Sequence, residues 1–192
     1  MGGRAGVWAG AAGTDKVCWP GGGAGRLRPN TNRSRRKAGR LSELTRYFED
    51  FRVGDRFETP GITLTRSEII DFAMRYDPQP IHMDVVAAEA GPYGGLIASG
   101  FQTLALSFRL FFQRGWFEDS SLGGPGIDEV RWLKPVYPGD TIHAVIQVAE
   151  ARPSNSDPGR GVLILHWETY NQNDELVMTF RAPSFIRRRP PA

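Results

Sequence analysis

A segment that is apolar around nearly its whole circumference, residues 100–114, constrains the fold more than any other part of the chain. Its apolar residues are Phe101, Leu104, Ala105, Leu106, Phe108, Leu110, Phe111 and Phe112. A helix with almost no polar face is buried on most sides, so other elements must surround it. We therefore expect one long helix at the centre of the domain.

Four runs with the composition of β-strands follow this helix, at 127–136, 141–151, 162–170 and 176–186. Turn-forming residues separate them, Tyr-Pro-Gly-Asp at 137–140 and Asn-Gln-Asn-Asp at 171–174, which favours antiparallel neighbours. Before these four runs, a strand that ends near Thr65 is followed by three helical stretches, the last of which is the long apolar helix. The order β-α-α-α-β-β-β-β predicts an α+β fold in which an antiparallel β-sheet is wrapped around the long apolar helix.

The chain around two prolines joins a carboxylate to an imidazole. Capping-box spacing at 65–68 predicts the start of an amphipathic helix that ends near Asp77. Pro78 and Pro80 disfavour helical geometry in the residues before them, so we expect a stiff, extended segment from Asp77 to His82. A segment of this length can return the imidazole to within water-bridging distance of the carboxylate.

These groups suit the addition of water to a double bond conjugated to a thioester. The reaction needs a group that takes a proton from water, a group that gives a proton to C2, and a donor for the developing enolate oxygen. Asp77 and His82 can hold one water and exchange its proton, and the N–H of Gly100 lies at the positive end of the long helix. We expect Asp77 and His82 to be catalytic and Gly100 to bind the thioester oxygen.

The run Asp77-Pro78-Gln79-Pro80-Ile81-His82 resembles the motif of MaoC-like dehydratases and (R)-specific enoyl-CoA hydratases, which reads Asp-x-Asn-Pro-x-His. A glycine at the start of the central helix matches Gly100, and residues 132–140 resemble the Pro-Val-x-x-Gly-Asp turn of this family. The resemblance covers about residues 47–187 and implies a hot-dog fold. It also implies a homodimer with a sheet that is continuous across two chains.

The sequence departs from the family pattern at three positions beside the motif. Gln79 stands where the family usually has Asn, Ser99 stands where it usually has His, and Phe108 replaces a serine found in some members. These changes leave the acid/base pair in place but alter the surroundings of the acyl group. We include Ser99 and Gln79 with Gly100 among the expected oxyanion and substrate-binding residues.

The resemblance favours a reversible enoyl-CoA hydratase or 3-hydroxyacyl-CoA dehydratase that acts on an acyl-CoA by syn addition of water. Two alternatives stay open, a hot-dog acyl-CoA thioesterase in which Asp77 activates water toward the carbonyl, and a noncatalytic subunit that binds acyl thioesters. No cofactor is expected beyond the coenzyme A thioester, which is the substrate. His143 and His166 lack a second ligand at metal spacing, so no metal is expected.

Each candidate residue also has a purely structural interpretation. Asp77 could end its helix through local hydrogen bonds, and His82 could be a polar residue that opens the next helix. Gly100 could serve only close helix packing. Ser99 has the chemistry of a helix N-cap, which we regard as its main role.

The first forty residues differ in composition from the remainder of the chain. They carry nine basic residues, one acidic residue and ten glycines, which leaves residues 41–192 at about −5. Such a segment buries too little apolar surface to order itself, so we expect a disordered basic tail at 1–40 and a hydratase domain at 41–192. An organelle address or a nucleic-acid arm would have a similar composition. We expect no nucleic-acid partner, because no aromatic residues interleave with the charges.

The cysteine content and the hydropathy indicate the compartment. Cys18 is the single cysteine, which excludes a disulfide within the chain. No apolar run approaches the length of a membrane span, and the first thirty residues lack the layout of a secretory signal. We therefore expect a cytoplasmic protein without a membrane partner.

Overall fold

The computed structural model describes residues 46–191. The expected tail at 1–40 lies outside the described residues. The elements, in chain order, are a 3₁₀ turn (Phe48–Asp50), β1 (Arg56–Glu58), β2 (Ile62–Thr63), α1 (Arg66–Tyr76), α2 (Pro80–Met83), α3 (Val85–Glu89), α4 (Gly100–Phe112), β3 (Asp128–Trp132), β4 (Thr141–Pro153), β5 (Arg160–Tyr170) and β6 (Leu176–Arg187). The predicted order of strands and helices is thus close to the observed order, and the two differ at two elements in the first half of the fold.

The sheet is antiparallel throughout, with the strand order β1-β4-β5-β6-β3 and with β2 paired to β4. The long strands β4, β5 and β6 form two consecutive hairpins, because turn residues separate them by only a few positions. Side chains of β5 alternate between the two faces, and Leu163, Leu165 and Trp167 point to the core. The short strand β3 forms one edge of the sheet.

Helix α4 packs against one face of this sheet. Phe111 is fully buried, and its ring makes an edge contact with Trp167, with 5.0 Å between ring centroids. The ring of Phe108 stacks against both Trp167 and Phe180, which also stack on each other. The expectation that α4 is buried on most sides needs one correction, because Phe101 is 58% exposed and Phe112 is 45% exposed. One stripe of the helix therefore faces outward in a single chain.

The first half of the fold differs from the prediction in two elements. The single strand expected before Thr65 consists of two short strands, β1 and β2, which both pair with β4. The segment before His82 is extended only as far as Gln79, and His82 lies in the short helix α2. Pro80 is the first residue of α2, a position where its fixed φ and missing N–H fit a helix. The proline therefore starts a helix here.

The expected strand at 127–136 is also shorter than predicted, since β3 ends at Trp132. The backbone N–H groups of Leu133 and Lys134 both donate to the carbonyl of Val177. Pro135 has no N–H to donate, and the chain turns away from the sheet before it. Within residues 46–191, no helix has the length and apolar character needed to cross a membrane.

Candidate active site

The structure brings Asp77 and His82 together at the junction of α1 and α2. Asp77 is the residue that ends α1, where its backbone has left the helical region, and His82 lies in the next helix. The Nε2 atom of His82 is 3.4 Å from Oδ2 of Asp77, and the two side chains are 6% and 13% exposed. The extended residue Gln79 between them turns the chain back, so the pair converges within six residues of sequence.

A backbone carbonyl orients the imidazole of His82. Its Nδ1 is 2.8 Å from the carbonyl oxygen of Ile97, which can only accept, so Nδ1 carries the hydrogen in the neutral ring. The Ile97 segment is itself held by a hydrogen bond from its N–H to the carbonyl of Ile81. Neutral His82 therefore directs the lone pair of Nε2 toward the carboxylate of Asp77. Two acceptor atoms face each other, an arrangement that one water can bridge by donating to both.

Both oxygens of the Asp77 carboxylate receive hydrogen bonds from neighbouring side chains. Ser99 Oγ donates to Oδ2 over 2.6 Å, and Gln79 Nε2 donates to Oδ1 over 2.7 Å. These hydrogen bonds, first from Ser99 and then from Gln79, lower the pKa of Asp77 below its ordinary value, while burial opposes the shift and His82 adds to it. Asp77 is therefore ionised at neutral pH and acts as an acceptor.

Ser99 has a second contact, with the start of α4. Its Oγ accepts a hydrogen bond from the backbone N–H of Phe101 at 3.2 Å, which makes it the N-cap of α4. The cap role expected from the sequence is therefore present, and the same hydroxyl donates its one hydrogen to Asp77. The positive end of the α4 dipole consequently faces the ionised carboxylate.

Gly100 begins α4 and lies against an aromatic ring that the sequence did not connect with it. A Cβ atom built on Gly100 would lie 2.4 Å from the indole ring of Trp132, so no larger residue fits without a shift. This contact supports the packing interpretation of Gly100. The N–H of Gly100, as the first residue of the helix, has no carbonyl partner inside α4. A packing role and an oxyanion role are therefore compatible in this position.

A cavity of about 370 Å³ opens beside these residues. Asp77, His82 and Gly100 line it, together with Ile81, Tyr93, Ile97, Ala98, Phe101, Thr103, Trp132, Leu133, Lys134, Pro135, Val136 and Val177. Ser99 and Gln79 are not among the lining residues. The acid/base pair and the start of α4 thus share one cavity with largely apolar walls, which suits an acyl group.

Two other features of the described residues do not form part of this site. His143 stacks on Tyr170, and His166 lies 3.7 Å from Glu168, both away from the cavity. No group of three potential metal ligands occurs within residues 46–191. A second cavity, of about 340 Å³, lies on the other side of α4 and contains Arg75 and Arg109, but it lacks an acid/base pair.

Several contacts of the site were not predicted from the sequence, among them the hydrogen bond from Ser99 to Asp77. The carbonyl of Ile97 leaves no signal in the sequence, because every residue carries one. The contact between Gly100 and Trp132 joins a helix to an edge strand that is distant in sequence, so local sequence patterns do not indicate it. The family resemblance at residues 132–140 includes Trp132 but did not indicate its contact with Gly100.

Comparisons with known protein families and sequences show what this chain is similar to. Residues 50–160 match the MaoC like domain. The uncharacterized protein YdeM of Bacillus subtilis is 33% identical over 140 residues, which cover 73% of this chain and 98% of that protein. Mesaconyl-CoA hydratase of Cereibacter sphaeroides is 30% identical over 151 residues, 77% of this chain and 43% of that protein.

Two solved structures extend the comparison to the fold. The MaoC-like dehydratase from Rhodospirillum rubrum is 36% identical, with a TM-score of 0.71 over 76% of this chain and 99% of that chain. A conserved hypothetical protein from Mycobacterium tuberculosis with a double hot-dog fold is 20% identical, with a TM-score of 0.63 over 78% of this chain and 46% of that chain. The domain is therefore a hot-dog fold, as predicted. The chain belongs to the MaoC-like dehydratase family.

Proposed function

We propose that this protein is an enoyl-thioester hydratase, working in either direction between a 2-enoyl thioester and a 3-hydroxyacyl thioester. One observation carries the proposal. Nε2 of His82 and Oδ2 of Asp77 face each other at 3.4 Å beside a largely apolar cavity, and the carbonyl of Ile97 orients the ring so that both facing atoms accept when the imidazole is neutral. A thioester hydrated at this place would meet a water already held by two acceptors.

The reaction then proceeds with one water and without a net change in the protein. The water donates one hydrogen to His82 and one to Asp77, and its oxygen bonds to C3 of the enoyl group while Nε2 takes a proton. The electrons of the double bond move toward the thioester oxygen, and the protonated His82 returns its proton to C2 on the same face. Syn addition follows, because both the oxygen and the proton come from one side of the substrate.

The developing charge on the thioester oxygen needs a donor that is already in place. The N–H of Gly100 at the positive end of α4 supports this role, since it lines the same cavity as the acid/base pair. Trp132 packs against the Cα of Gly100 and restricts the directions from which a substrate can approach the amide. The thioester therefore binds with its oxygen toward α4 and its C3 toward Asp77 and His82.

The proposed substrate is an acyl-CoA, and no other cofactor takes part. Mesaconyl-CoA hydratase, a relative by sequence, carries a CoA thioester in its name. Lys134 lies at the cavity and forms an ion pair with Glu175, so it is a weaker candidate for binding phosphate than an unpaired lysine would be. The apolar walls of the cavity favour binding of the acyl part of the substrate, and they give less support for a binding site for its nucleotide.

We further propose that the protein acts as a homodimer formed through the edge strand β3. Trp132 and Leu133 are 51% and 52% exposed at this edge, and Phe101 on α4 lies next to Trp132 with its ring 58% exposed. An unpaired strand edge beside exposed apolar rings is a surface that a second chain can cover. Because these residues also line the cavity, the partner would close one wall of the site.

An absorbance assay on purified protein tests the function. Hydration removes the enoyl-thioester chromophore, so crotonyl-CoA and branched and long enoyl-CoAs are each followed for its loss, with thiol release measured in parallel. A hydratase consumes the chromophore and forms the 3-hydroxyacyl thioester without free thiol. Free coenzyme A as the main product would identify a thioesterase instead, and binding of acyl-CoA without any product would identify a noncatalytic subunit.

A further inference from the structure

Two side chains touch the carboxylate of Asp77 from opposite sides without lining the cavity. Gln79 donates to Oδ1 and Ser99 donates to Oδ2, and Oδ2 is the oxygen that faces His82. Ser99 is fully buried, so it has no route to a substrate. Their place in the sequence suggested substrate binding, whereas their contacts lead to Asp77.

We infer that Ser99 and Gln79 are positioning residues that act together on Asp77, holding its carboxylate in one orientation and in its ionised form. The catalytic role of the two residues rests on the proposed function, whereas their effect on the Asp77 carboxylate rests on the two hydrogen bonds alone. Both residues depart from the family pattern, which usually has His at the position of Ser99 and Asn at the position of Gln79. The two departures therefore meet at the same carboxylate, one on each oxygen.

The hydroxyl of Ser99 is restricted to one arrangement. A serine hydroxyl has one hydrogen to donate, and here Oγ accepts from the N–H of Phe101, which directs that hydrogen to Asp77. The chain of hydrogen bonds runs from the start of α4 through Ser99 to the carboxylate, so the positive end of the helix acts on Asp77 through one side chain. Protonation of Asp77 would weaken both hydrogen bonds, because a neutral carboxyl group is a weaker acceptor than a carboxylate.

The other groups around Asp77 leave Ser99 and Gln79 as its side-chain donors in the described part of the chain. His82, on α2, is the titratable group within ion-pair distance, and Nδ1 of its ring is committed to Ile97. Charged residues on α1, such as Arg75 and Asp71, line the second cavity on the other side of α4. Because the proposed mechanism also requires a neutral His82, the effect of the two donors is best measured on the titration of Asp77 itself.

The experiment measures the titration of Asp77 directly. Aspartate labelled with ¹³C at the carboxyl carbon is incorporated, and the Asp77 resonance is assigned by its loss in Asp77→Asn. Ser99→Ala and Gln79→Ala are each expected to move the titration to higher pH, and the double variant is expected to move it further. Thr65→Ala is the matched control, since it removes an N-cap hydroxyl from α1 without a contact to Asp77.

Kinetics provide the second measurement. Each of the two variants should lower kcat near neutral pH by about tenfold, the size expected for one hydrogen bond to a charged group, with little change in KM. Ser99→Thr, which keeps the hydroxyl, should return both kcat and the NMR titration of Asp77 toward the wild-type values. A purely structural role for Ser99 would lower activity and leave the NMR titration of Asp77 in place.

The outcomes separate this inference from the proposed function. If the Asp77 titration in both alanine variants equals that of the wild-type protein, the positioning role is wrong. Gln79 is exposed, so Gln79→Ala should fold and can decide the question even if Ser99→Ala does not. A shifted titration in a protein that never hydrates an enoyl thioester would leave the positioning role intact and remove the function proposed above.

Discussion

Nε2 of His82 lies 3.4 Å from Oδ2 of Asp77, and neither atom supplies a hydrogen to the other when the ring is neutral. This relationship follows from the hydrogen bond between Nδ1 and the Ile97 carbonyl, which consumes the one N–H of the imidazole. The gap suits a water molecule that donates to both. The first prediction tests whether this pair performs the chemistry.

Asp77→Asn and His82→Ala should each reduce the rate of crotonyl-CoA hydration by about a hundredfold to ten-thousandfold, the range for loss of a positioned acid or base. The first change replaces an acceptor by an amide, and the second removes the group that carries the proton. Both rates are measured from the loss of enoyl-thioester absorbance, with circular dichroism to verify the fold. A wild-type rate in either variant would show that the water is activated elsewhere.

His166→Ala is the matched control for that measurement. His166 also lies beside a carboxylate, with its Nε2 3.7 Å from Oε1 of Glu168, but its side chain is 38% exposed on a face of the sheet away from the cavity. Its loss should leave the hydration rate unchanged. An equal loss of rate in all three variants would point to a general effect on the protein.

Gly100→Ala should reduce the free energy of unfolding by about 1 to 3 kcal/mol, the usual cost of an overpacked site. The new Cβ would lie 2.4 Å from the indole of Trp132, so the ring or the helix must shift. Chemical denaturation measures the change. Trp132→Ala in the same chain removes the clash, and the double variant should lose less stability than the two single changes added together.

The activity of that double variant separates the two roles of Gly100. Alanine keeps the backbone N–H, so a double variant that folds and hydrates crotonyl-CoA would show that packing alone requires the glycine. A stable double variant that has lost a hundredfold or more in kcat would show that the substrate itself approaches Gly100 too closely for a side chain. Trp132→Ala alone supplies the reference rate.

Thr65→Ala should lower the free energy of unfolding near neutral pH by about 1 kcal/mol, the typical value of an N-cap. The Thr65 hydroxyl and then its backbone N–H donate to Glu68, and these hydrogen bonds lower the pKa of Glu68 below its ordinary value. Stability from this pair is present above the ordinary pKa and is lost as the pH falls through the lowered one. The difference between variant and wild type should therefore shrink in acid.

Denaturation curves at several pH values between neutral and strongly acidic measure this dependence. Glu68→Gln is the control, because glutamine can serve a capping box but does not titrate. Its stability relative to wild type should improve as the pH falls, since the wild-type protein alone loses a charged partner. A constant difference for Thr65→Ala across the whole range would contradict the role assigned to the hydrogen bonds of Glu68.

The sequence predicted the elements whose causes are local and missed the contacts whose causes are distant. The capping box at Thr65 and the N-cap at Ser99 depend on a few neighbouring residues, and both are present. The proximity of Asp77 and His82 also follows from a short, proline-restricted segment. By contrast, Pro80 starts a helix where an extended chain was expected. Proline fits the first position of a helix as well as an extended segment, so its presence alone does not decide between the two.

The exposed stripe of α4 was missed for a different reason. An apolar pattern shows that a face will be covered, and it carries no information on whether the same chain or another chain covers it. Phe101 contacts Trp132 with 5.8 Å between ring centroids, and both rings are more than half exposed. The apolar pattern of α4 therefore predicts burial correctly only if a second copy of the chain covers the exposed stripe.

Trp132→Glu should dissociate the proposed dimer into monomers and lower the hydration activity, because a buried carboxylate opposite its own symmetry copy is strongly unfavourable. Light scattering coupled to size exclusion measures the mass, and the absorbance assay measures the rate. Val53→Glu is the matched control, since Val53 is 65% exposed and precedes β1, at the opposite edge of the sheet. A wild-type protein that is monomeric and fully active would show that the site is complete within one chain.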